Sequence, residues 1–451
     1  MGIALIILAA GQGTRMNSDL PKVLHEIGGA PMLVHALSAG AAMEPERTIV
    51  VTGHGAAAVQ KAATEFNPDV ICAEQSEQLG TGHAVAQAAP HLQGFSGDAI
   101  VLYGDTPFVT VQTLAKIEKA RKSHDIVVLG FEPENPARYG RLVMDGSSLV
   151  EIVEHKDASS EERAIRLCNS GIICANSEIL MGIVSKLEPS SSTGEYYLTD
   201  VVGAARKIGL SATAVFCDES ETLGINSRQE LADAERAFQA RKRFEALENG
   251  VSMPCPESVF FAFDTVVGRD AVVEQNVVFG PGVTVESGAR IRAFSHLEGC
   301  HVSRDAVVGP YARLRPGAEL AEAVRIGNFV EVKNAQIDEG AKVNHLSYIG
   351  DAHIGEATNI GAGTITCNYD GVFKHRTVIG KEVFVGSNTM LVAPVKLGDR
   401  SMTATGTVVT SDVPEGAMSV GRARQENKPG LAVRLFEKLR ARKNSEVKKD
   451  V

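Results

Sequence analysis

The sequence predicts two folds in one chain, an α/β Rossmann-like domain followed by a left-handed parallel β-helix. Apolar runs of strand length alternate with helical patterns in the first half, whereas apolar residues recur every six positions in the second. Glycine is also abundant: 44 of the 451 residues are glycine, which is about 10%, whereas the average protein contains about 7%. So many tight backbone positions favour nucleotide-binding loops or a solenoid.

Composition and charge exclude several classes of protein. The chain is 44% apolar and 22% charged, which rules out a mainly disordered protein. Its net charge of −10 argues against nucleic-acid binding. The seven cysteines form no C-x-x-C pair, which predicts reduced thiols in a cytoplasmic protein without a zinc site. The apolar start, Ile3 to Ala10, is far shorter than the roughly 20 residues of a membrane span.

Residues 1–226 carry the alternating pattern of an α/β domain. The first strand is predicted at Ala4 to Leu8. Helix-forming residues at helical spacing occupy Val34 to Ala42 and Val111 to Ala120. The other predicted strands are Thr48 to Val51, Ile100 to Leu102 and Ile126 to Leu129. Such alternation is typical of a mostly parallel sheet with helices on its faces, and ligands bind such sheets at the carboxyl ends of the strands.

Residues 227–250 form a predicted linker. The stretch 228–248 contains no Gly or Pro and spaces its apolar residues as one face of a long amphipathic helix. Gly250 and Pro254 end this pattern.

The third region, 251–451, begins with a repeat of six residues. A hexapeptide period predicts one short strand and one turn per unit, with one apolar side chain directed at a shared axis and three units in each triangular coil. An antiparallel sandwich would instead need alternation over several residues. The predicted inward residues are Val267, Val273, Phe279, Val285, Ile291, Leu297, Val308, Leu314, Leu320, Ile326, Val332, Ile379, Val385, Leu391, Leu397, Thr403 and Val409.

The segment from Leu431 to Val451 is basic and leaves two interpretations open. It attracts phosphates, or it is a solvated basic helix with a frayed tail, which is the more common fate of such a segment.

A glycine-rich loop follows the first strand. Gly11 and Gly13 allow backbone N–H groups to approach an anion, a helix start behind them would favour negative charge, and Arg15 and Lys22 add cations. The loop is not a Walker motif, because the G-K-[ST] ending is missing, and Met16 replaces the third glycine of a dinucleotide fingerprint. Taken alone, a strand followed by G-x-G also fits a plain tight turn.

The complete string narrows these alternatives. L-x-x-G-x-G-T-x-M from Leu8 to Met16, followed by Pro21-Lys22, resembles the sugar-1-phosphate nucleotidyltransferases. Together with the hexapeptide repeats, the chain is similar over nearly its whole length to the bacterial bifunctional N-acetylglucosamine-1-phosphate uridyltransferases and glucosamine-1-phosphate N-acetyltransferases. Further matching strings are Leu79 to Ala84, Tyr103-Gly104-Asp105, Tyr139-Gly140-Arg141, Ile152-Val153-Glu154, Asn169-Ser170-Gly171 and Gly224-Ile225-Asn226.

The resemblance implies a uridylyltransferase site in the first domain. It implies that Asp105 and Asn226 hold Mg²⁺, which prefers few protein ligands, and that Arg15 and Lys22 stabilise the charge that develops during transfer. Gln75 and the pair Gly80-Thr81 would bind the uracil. The residues implied in binding UTP and UDP-N-acetylglucosamine are Leu8, Gly11, Lys22, Gln75, Gly80, Thr81, Tyr103, Asp105, Gly140, Glu154, Asn169 and Asn226.

A second site is expected in the β-helix. Arg315 and Lys333 are eighteen residues apart, so one triangular turn would stack them roughly 4.8 Å apart, as a phosphate clamp or as ordinary solvated residues. The resemblance favours the clamp and implies that His345 is the general base, because an imidazole titrates near neutrality. Tyr348 and Asn359 would complete the sugar-phosphate site. The residues implied for acetyl-CoA are Ala362, Asn368, Tyr369, Ser387, Thr405 and Arg422.

The predicted protein is therefore a bifunctional cytoplasmic enzyme. Acetyl-CoA acetylates glucosamine 1-phosphate, and UTP with Mg²⁺ converts the product into UDP-N-acetylglucosamine. The flat faces of the β-helix and the family analogy imply a homotrimer. Two alternatives remain: a single-function pyrophosphorylase for glucose or mannose 1-phosphate, whose solenoid serves assembly or regulation, and a nucleotide-sensing subunit without catalysis.

Overall fold

The computed structural model describes residues 2–136, 139–191 and 193–447. The chain divides into two compact units, one of Met1–Val266 with Val278–Val283 and one of Val267–Val277 with Thr284–Val451. Within the described ranges, no helix is both long enough and apolar enough to cross a membrane.

The first unit is built on a twisted sheet. Its strands follow the order β11-β7-β10-β6-β1-β4-β5, with the hairpin β8-β9 attached to β10 and a separate small hairpin β2-β3. The strands are β1 (Gly2–Ala9), β2 (Glu26–Ile27), β3 (Ala30–Pro31), β4 (Arg47–Thr52), β5 (Ile71–Glu74), β6 (Gly97–Tyr103), β7 (Ile126–Phe131), β8 (Arg141–Asp145), β9 (Ser148–Val153), β10 (Cys168–Asn176) and β11 (Ala212–Phe216).

Helices cover both faces of this sheet. Successive side chains of β1 belong to two separate apolar clusters: Ala4, Ile6 and Leu8 to one, and the alternating residues Leu5 and Ile7 to the other. A strand that is buried on both faces has a continuous run of apolar residues in its sequence, and β1 has such a run. The helices are α1 (Met32–Ala41), α2 (Ala56–Phe66), α3 (Thr81–Ala86), α4 (Val111–Arg121), α5 (Ser160–Arg163), α6 (Ser177–Val184), α7 (Asp200–Lys207) and α8 (Arg228–Glu248).

Most strand pairs are parallel, as the alternation predicted, but β10 runs antiparallel to its neighbours β6 and β7. The strands β1 and β6 are parallel, and their register places Leu8 opposite Tyr103. The pairing continues past the strand ends, since Gly104 N donates to Leu8 O at 2.9 Å. The loops after these two strands therefore emerge side by side at one edge of the sheet.

The predicted amphipathic helix is α8, with the expected bounds. It begins at the N-cap Ser227, whose side chain accepts from Glu230 N. Its buried face includes Ala234 and Phe238, which pack in a cluster with Ile27, Met32, Phe108 and Ile225 of the first unit.

The later part of the chain forms a parallel β-helix with three faces, most of which belongs to the second unit. Its short strands stack in register on their equivalents in the next coil. The strands are β12 (Val266–Val267), β13 (Val272–Val273), β14 (Val278–Phe279), β15 (Val283–Val285), β16 (Arg290–Ile291), β17 (His296–Leu297), β18 (Cys300–Val302), β19 (Val307–Val308), β20 (Arg313–Leu314), β21 (Ala318–Leu320), β22 (Arg325–Asn328), β23 (Glu331–Ile337), β24 (Lys342–His345), β25 (Tyr348–Ile354), β26 (Asn359–Ile360), β27 (Ile365–Cys367), β28 (Thr377–Ile379), β29 (Phe384–Val385), β30 (Met390–Val392), β31 (Val395–Leu397), β32 (Met402–Thr403), β33 (Val408–Val409) and β34 (Met418–Ser419).

The six-residue pattern corresponds to the inward column of this helix. Ile291, Leu314 and Val385, for example, are each completely buried. Glycines beside inward positions have a related cause: a Cβ on Gly361 would lie 2.6 Å from Ser387 N in the next coil. The predicted fold class, a Rossmann-like domain followed by a hexapeptide β-helix, is confirmed.

One coil is longer than the others. Val307 pairs with Arg325 and Lys342 pairs with Asn359, at separations of 18 and 17 residues, whereas Asn359 pairs with Phe384, 25 residues later. The additional residues form a projecting loop, 368–376, in which Tyr369 bridges to Lys374.

The basic C-terminal segment forms α9 (Leu431–Val447), as predicted for a basic helix. Its large apolar side chains from Leu431 to Leu439 are exposed. The end of the predicted segment, with Lys448 and Lys449, lies outside the described residues.

Candidate active sites

Three side chains from distant parts of the chain meet at the carboxyl ends of β1 and β6. The Lys22 ammonium donates a short hydrogen bond to Asp105, which follows β6. It also donates to Asn226 Oδ1 at 3.0 Å. The side chains of Lys22 and Asp105 are only 12% and 20% exposed. Two oxygen acceptors therefore converge on one cation in a largely buried place.

A cavity of about 560 Å³ opens at this point. Most residues predicted for the uridylyltransferase site border it, although they are separated by up to 161 positions in the sequence. The predicted residues on its wall are Leu8, Gly11, Lys22, Gln75, Gly80, Thr81, Tyr103, Asp105, Gly140, Glu154 and Asn169. Asn226 is joined to this wall through Lys22, as described above.

The backbone behind the glycine loop differs from the expectation. The sequence predicted a helix start there, but Thr14–Met16 form only a single 3-10 turn. A turn of three residues has no macrodipole to attract an anion, so that part of the interpretation was wrong. The glycine is needed for another reason: Gly13 has a φ of 65°, and a Cβ there would lie 2.5 Å from the Lys22 Cβ.

Arg15 lies in this short turn and is exposed. It is not among the residues that border the cavity in the described part of the chain. The structure therefore does not bring Arg15 to the cluster of Lys22, Asp105 and Asn226.

Glu154 is a half-buried carboxylate of the cavity wall. Burial raises its pKa above the ordinary range, and a hydrogen bond from Thr199 partly opposes this shift. That bond runs from Thr199 Oγ1 to Glu154 Oε1 at 3.1 Å. Burial also raises the pKa of the neighbouring Tyr103 phenol, so Tyr103 remains a neutral hydrogen-bonding group at physiological pH.

Several residues on this wall were not predicted as site residues. Tyr139 and Ser170 stand inside motifs quoted above, so the motif pattern already pointed to them. Thr199, Glu195, Tyr197 and Gln78 had no such signal. Thr199 touches Glu154 only because α7 packs against β9, a contact that a local sequence pattern does not reveal.

In the β-helix, Arg315 and Lys333 stack in adjacent coils as expected. The strand register pairs Arg313 with Glu331 and continues with a bond from Arg315 N to Val332 O at 2.9 Å. Glu331 was not predicted, yet its Oε1 accepts from Arg315 Nη1 at 2.9 Å and orients that guanidinium. Tyr348 pairs with Glu331 in the next coil. Arg315, Lys333 and Tyr348 therefore lie on one face.

His345 lies at a corner of the coil and is exposed. Its Nδ1 is 3.1 Å from Asn328 Oδ1. Because an amide oxygen only accepts, this contact places the ring proton on Nδ1 and leaves Nε2 with a free lone pair. A general base needs that lone pair.

The predicted acetyl-CoA residues continue from this corner through successive coils. Gly363 N donates to His345 O at 3.4 Å, Asn388 N to Ala362 O at 2.7 Å, and Gly406 N to Ser387 O at 2.8 Å. Ala362, Ser387 and Thr405 therefore follow one corner column that begins beside His345. Arg422 is exposed on the segment that follows the last coils.

Asn368 and Tyr369 lie at the base of the projecting loop. The Asn368 side chain is buried and donates a short hydrogen bond to Asp351. Tyr369 is exposed and donates its hydroxyl to Gly371 O at 2.6 Å. A cavity of about 330 Å³ beside them is bordered by Asn334, Asp351, Lys374 and neighbouring residues. No role was predicted for Asp351.

One predicted residue is separated from the others. Asn359 pairs with Lys342 and Phe384 in the sheet that also carries His345. Arg315 and Lys333 lie on a different face of the triangular coil. The predicted sugar-phosphate residues are thus divided between two faces of the chain.

Comparison with known proteins adds independent information. The model of the MobA-like NTP transferase domain matches residues 5–167. The Bifunctional protein GlmU of Ruegeria pomeroyi is 65% identical over 448 residues, covering 99% of this chain and 100% of the relative. That of Dinoroseobacter shibae is 64% identical over 446 residues, covering 99% of both. That of Jannaschia sp. is 60% identical over 446 residues, covering 99% of this chain and 98% of the relative.

These similarities span both units. They confirm the predicted bifunctional enzyme with uridylyltransferase and acetyltransferase activities. The chain belongs to the family of the bifunctional protein GlmU.

Proposed function

We propose that the two clusters described above carry the two successive reactions: acetylation of glucosamine 1-phosphate in the β-helix, then uridylyl transfer to the product in the first unit. The observation that supports this most directly is the cavity at the ends of β1 and β6, where Lys22 joins Asp105 and Asn226. Each cluster combines cations with hydrogen-bonding groups suited to a phosphorylated sugar.

The oxygens of Asp105 and Asn226 are suited to Mg²⁺. In the structure both oxygens accept hydrogen bonds from the Lys22 ammonium, so they already surround a positive charge. Carboxylate and amide oxygens are the ligands Mg²⁺ prefers, with waters and phosphates completing its coordination. Bound there, the metal would neutralise negative charge on the reacting phosphates.

In the uridylyl transfer, a phosphate oxygen of N-acetylglucosamine 1-phosphate forms a bond to the α-phosphorus of UTP, and the bond to pyrophosphate breaks. No protein nucleophile is required. Both reactants are anions, so Lys22 and Arg15 reduce their repulsion and stabilise the charge that moves to the leaving group. Gln75 with Gly80 and Thr81 holds the uracil, and Gly140, Glu154 and Asn169 hold the sugar.

In the acetyl transfer, the neutral amine of glucosamine 1-phosphate attacks the thioester carbonyl while His345 Nε2 takes a proton from the attacking nitrogen. The C–N bond forms, the C–S bond breaks, and the protonated imidazole returns that proton to the thiolate of CoA. Asn328 supports this step because it keeps the proton of the imidazole on Nδ1. Arg315 and Lys333 bind the phosphate, with Tyr348 and Asn359 beside them.

An omission assay tests both reactions on one preparation. The protein is incubated with glucosamine 1-phosphate, acetyl-CoA, UTP and Mg²⁺, and each component is left out in turn. We expect CoA release to require the amino sugar, and pyrophosphate release to require UTP, Mg²⁺ and the acetylated sugar. Pyrophosphate release without any acetyl transfer would instead support the single-function alternative.

We also propose that the chain acts as a homotrimer. Phe294, Tyr311 and Phe329 form an exposed stack along one edge of the β-helix, with ring centroids 4.9 and 5.4 Å apart, and Leu346 continues it. Exposed aromatic ladders are characteristic of contact surfaces. Leu346 follows His345 directly, so a second chain at this edge would lie beside the general base. Such packing would also unite the residues that one chain divides between two faces.

A charged substitution in this stack is expected to dissociate the assembly. For Tyr311→Glu we expect the mass in solution, measured by light scattering, to fall from three chains towards one, since burying an unpaired carboxylate is costly. Acetyl transfer should fall with it, while uridylyl transfer remains. Ile208→Glu, at an exposed apolar residue of the first unit, is the matched control. A single-chain mass for the unaltered protein would contradict the proposal.

The boundaries of the two functional regions and the location of the protein in the cell are also proposals. The division at 1–226, 227–250 and 251–451 is proposed as the functional boundary between the two activities. The seven cysteines are free, a state typical of reducing compartments, and this supports a cytoplasmic location.

Glu154 gives a prediction about pH. Its pKa is raised by burial, so the carboxylate is protonated at a higher pH than usual and then accepts fewer hydrogen bonds from the sugar. We expect the KM for N-acetylglucosamine 1-phosphate to rise as the pH falls through this raised pKa. Glu154→Gln should raise the KM on the order of 10-fold, because hydrogen bonds to charged groups are strong, and should remove the pH dependence. An unchanged pH profile in this variant would count against the assignment.

The projecting loop gives a second pH prediction. Hydrogen bonds from His375 and from the backbone of Phe373 and Val372 lower the pKa of Asp370 to about 2. A carboxyl with a lowered pKa contributes stability above its ordinary pKa and loses it as the pH falls towards the lowered one. We expect the protection of this loop against hydrogen exchange, relative to an unstructured peptide at the same pH, to fall below about pH 4, and Asp370→Ala to show the low protection already at pH 7. Equal exchange in both proteins at pH 7 would refute this.

A further inference from the structure

Three polar side chains form a ladder across consecutive coils of the β-helix. Asn334 Nδ2 donates to Asp351 Oδ1 at 2.6 Å, and Asn368 Nδ2 donates a short hydrogen bond to Asp351 Oδ2. Lys333 Nζ lies 3.9 Å from the same Oδ2. Asp351 is only 11% exposed and joins a phosphate-clamp lysine to a residue of the acetyl-CoA path.

The carboxylate can only accept hydrogen bonds in this ladder. Burial by itself would raise the pKa of Asp351, but the hydrogen bonds from Asn334 and Asn368 and the charges of Lys333 and Lys374 hold it below its ordinary value. An ionised carboxylate has no proton to donate. Both amides must therefore turn their NH₂ groups towards Asp351.

This constraint determines which atom Asn368 offers to a ligand. With Nδ2 bound to Asp351, the opposite atom, Oδ1, is left over. Within residues 2–136, 139–191 and 193–447, no protein hydrogen bond to this oxygen is found, and it does not belong to the buried side-chain atoms that lack a partner. The oxygen is therefore open to solvent and free to accept a hydrogen bond from a ligand.

We propose that Asp351 is a positioning residue of the acetyl-transfer site: it holds the Asn368 amide so that Oδ1 accepts from an amide N–H of the pantetheine arm of acetyl-CoA. The inference rests on the proposed function of the β-helix and deepens it. Asp351 makes no contact with substrate in this arrangement, and it acts only through Asn368. The same carboxylate also neutralises part of the charge of Lys333, so one residue links the two substrate-binding regions.

The first experiment removes the acceptor. For Asp351→Ala we expect the KM for acetyl-CoA to rise about 10-fold, the usual scale for losing a hydrogen bond that involves a charged group. The KM for UTP of the same chain should not change, because the proposed UTP site lies in the other compact unit. Asp305→Ala, at an exposed aspartate of an earlier coil that shares the positive φ of Asp351, is the matched control and should leave both KM values unchanged.

The decisive experiment exchanges donor and acceptor. Asn368→Asp alone places two carboxylates against each other, and we expect it to raise the KM for acetyl-CoA at least as much as Asp351→Ala. In the double variant D351N/N368D the new amide donates to the new carboxylate, whose second oxygen again faces the ligand. We expect the KM to return to within about 3-fold of the unaltered protein. A residue needed only for folding would show no such rescue.

The outcomes separate two failures. An unaltered chain that transfers no acetyl group would overturn the proposed function and this inference together. An active chain in which the double variant is as impaired as Asn368→Asp, or in which Asp351→Ala keeps its KM for acetyl-CoA, would overturn the role of Asp351 alone. The rescue comparison needs no Asp351→Ala protein, so it decides the question even if that variant misfolds.

Discussion

Asp105→Ala is expected to reduce uridylyl transfer by at least 10²- to 10³-fold, which corresponds to about 2.7 to 4 kcal/mol for one lost electrostatic contact. The reason is geometric. Asp105 follows β6 beside the end of β1, and it shares the Lys22 ammonium with Asn226. Its removal takes away one of the two proposed oxygen ligands of Mg²⁺ and releases the lysine that faces the phosphates. Pyrophosphate release at saturating UTP measures the effect.

The same chain supplies the control for Asp105. Acetyl transfer should be unchanged, because the second site lies in the other compact unit. Asp69→Ala, an exposed aspartate in a loop of the first unit, should leave both reactions unaffected. Asp105→Asn separates charge from shape, and we expect it to be nearly as impaired as the alanine variant. Full uridylyl transfer by Asp105→Ala would refute the assigned metal site.

His345→Ala is expected to lower acetyl transfer by about 10²- to 10⁴-fold, the usual contribution of a positioned general base. The Asn328 contact leaves Nε2 of His345 free to take the amine proton, and no other histidine stands in the corner column that leads to Ala362. The effect should appear in kcat, since the phosphate clamp of Arg315 and Lys333 is retained. Release of the CoA thiol is the measurement.

A substitution that keeps the hydrogen bond distinguishes a base from a structural histidine. His345→Gln can still donate to Asn328 but has no basic nitrogen, so its acetyl transfer should be as low as that of His345→Ala. His296→Ala, at an exposed histidine of the same β-helix, should keep the full rate. If His345→Ala retains full activity, another group must remove the proton.

Much of the fold could be predicted because burial leaves a period in the sequence. The inward residues of the β-helix recur every six positions, and the continuous apolar run of β1 reflects burial on both faces by helices. The helix α8 was predicted with its observed bounds because its apolar spacing continued without Gly or Pro between clear end signals. The helix expected behind Gly13 was wrong, since three residues between the loop and Asn17 allow only a 3-10 turn.

The sequence by itself determined the order of folds, the periodic core and the family motifs, because these depend on residues close together in the chain. Only the tertiary structure decided which distant groups meet. Lys22 is 83 residues from Asp105 and 204 from Asn226, and their contact depends on the parallel register of β1 and β6. Asp351 contacts Asn334 and Asn368 because each coil returns the chain to the same corner. The length of a coil determines which residues meet there, and a local sequence pattern does not reveal it.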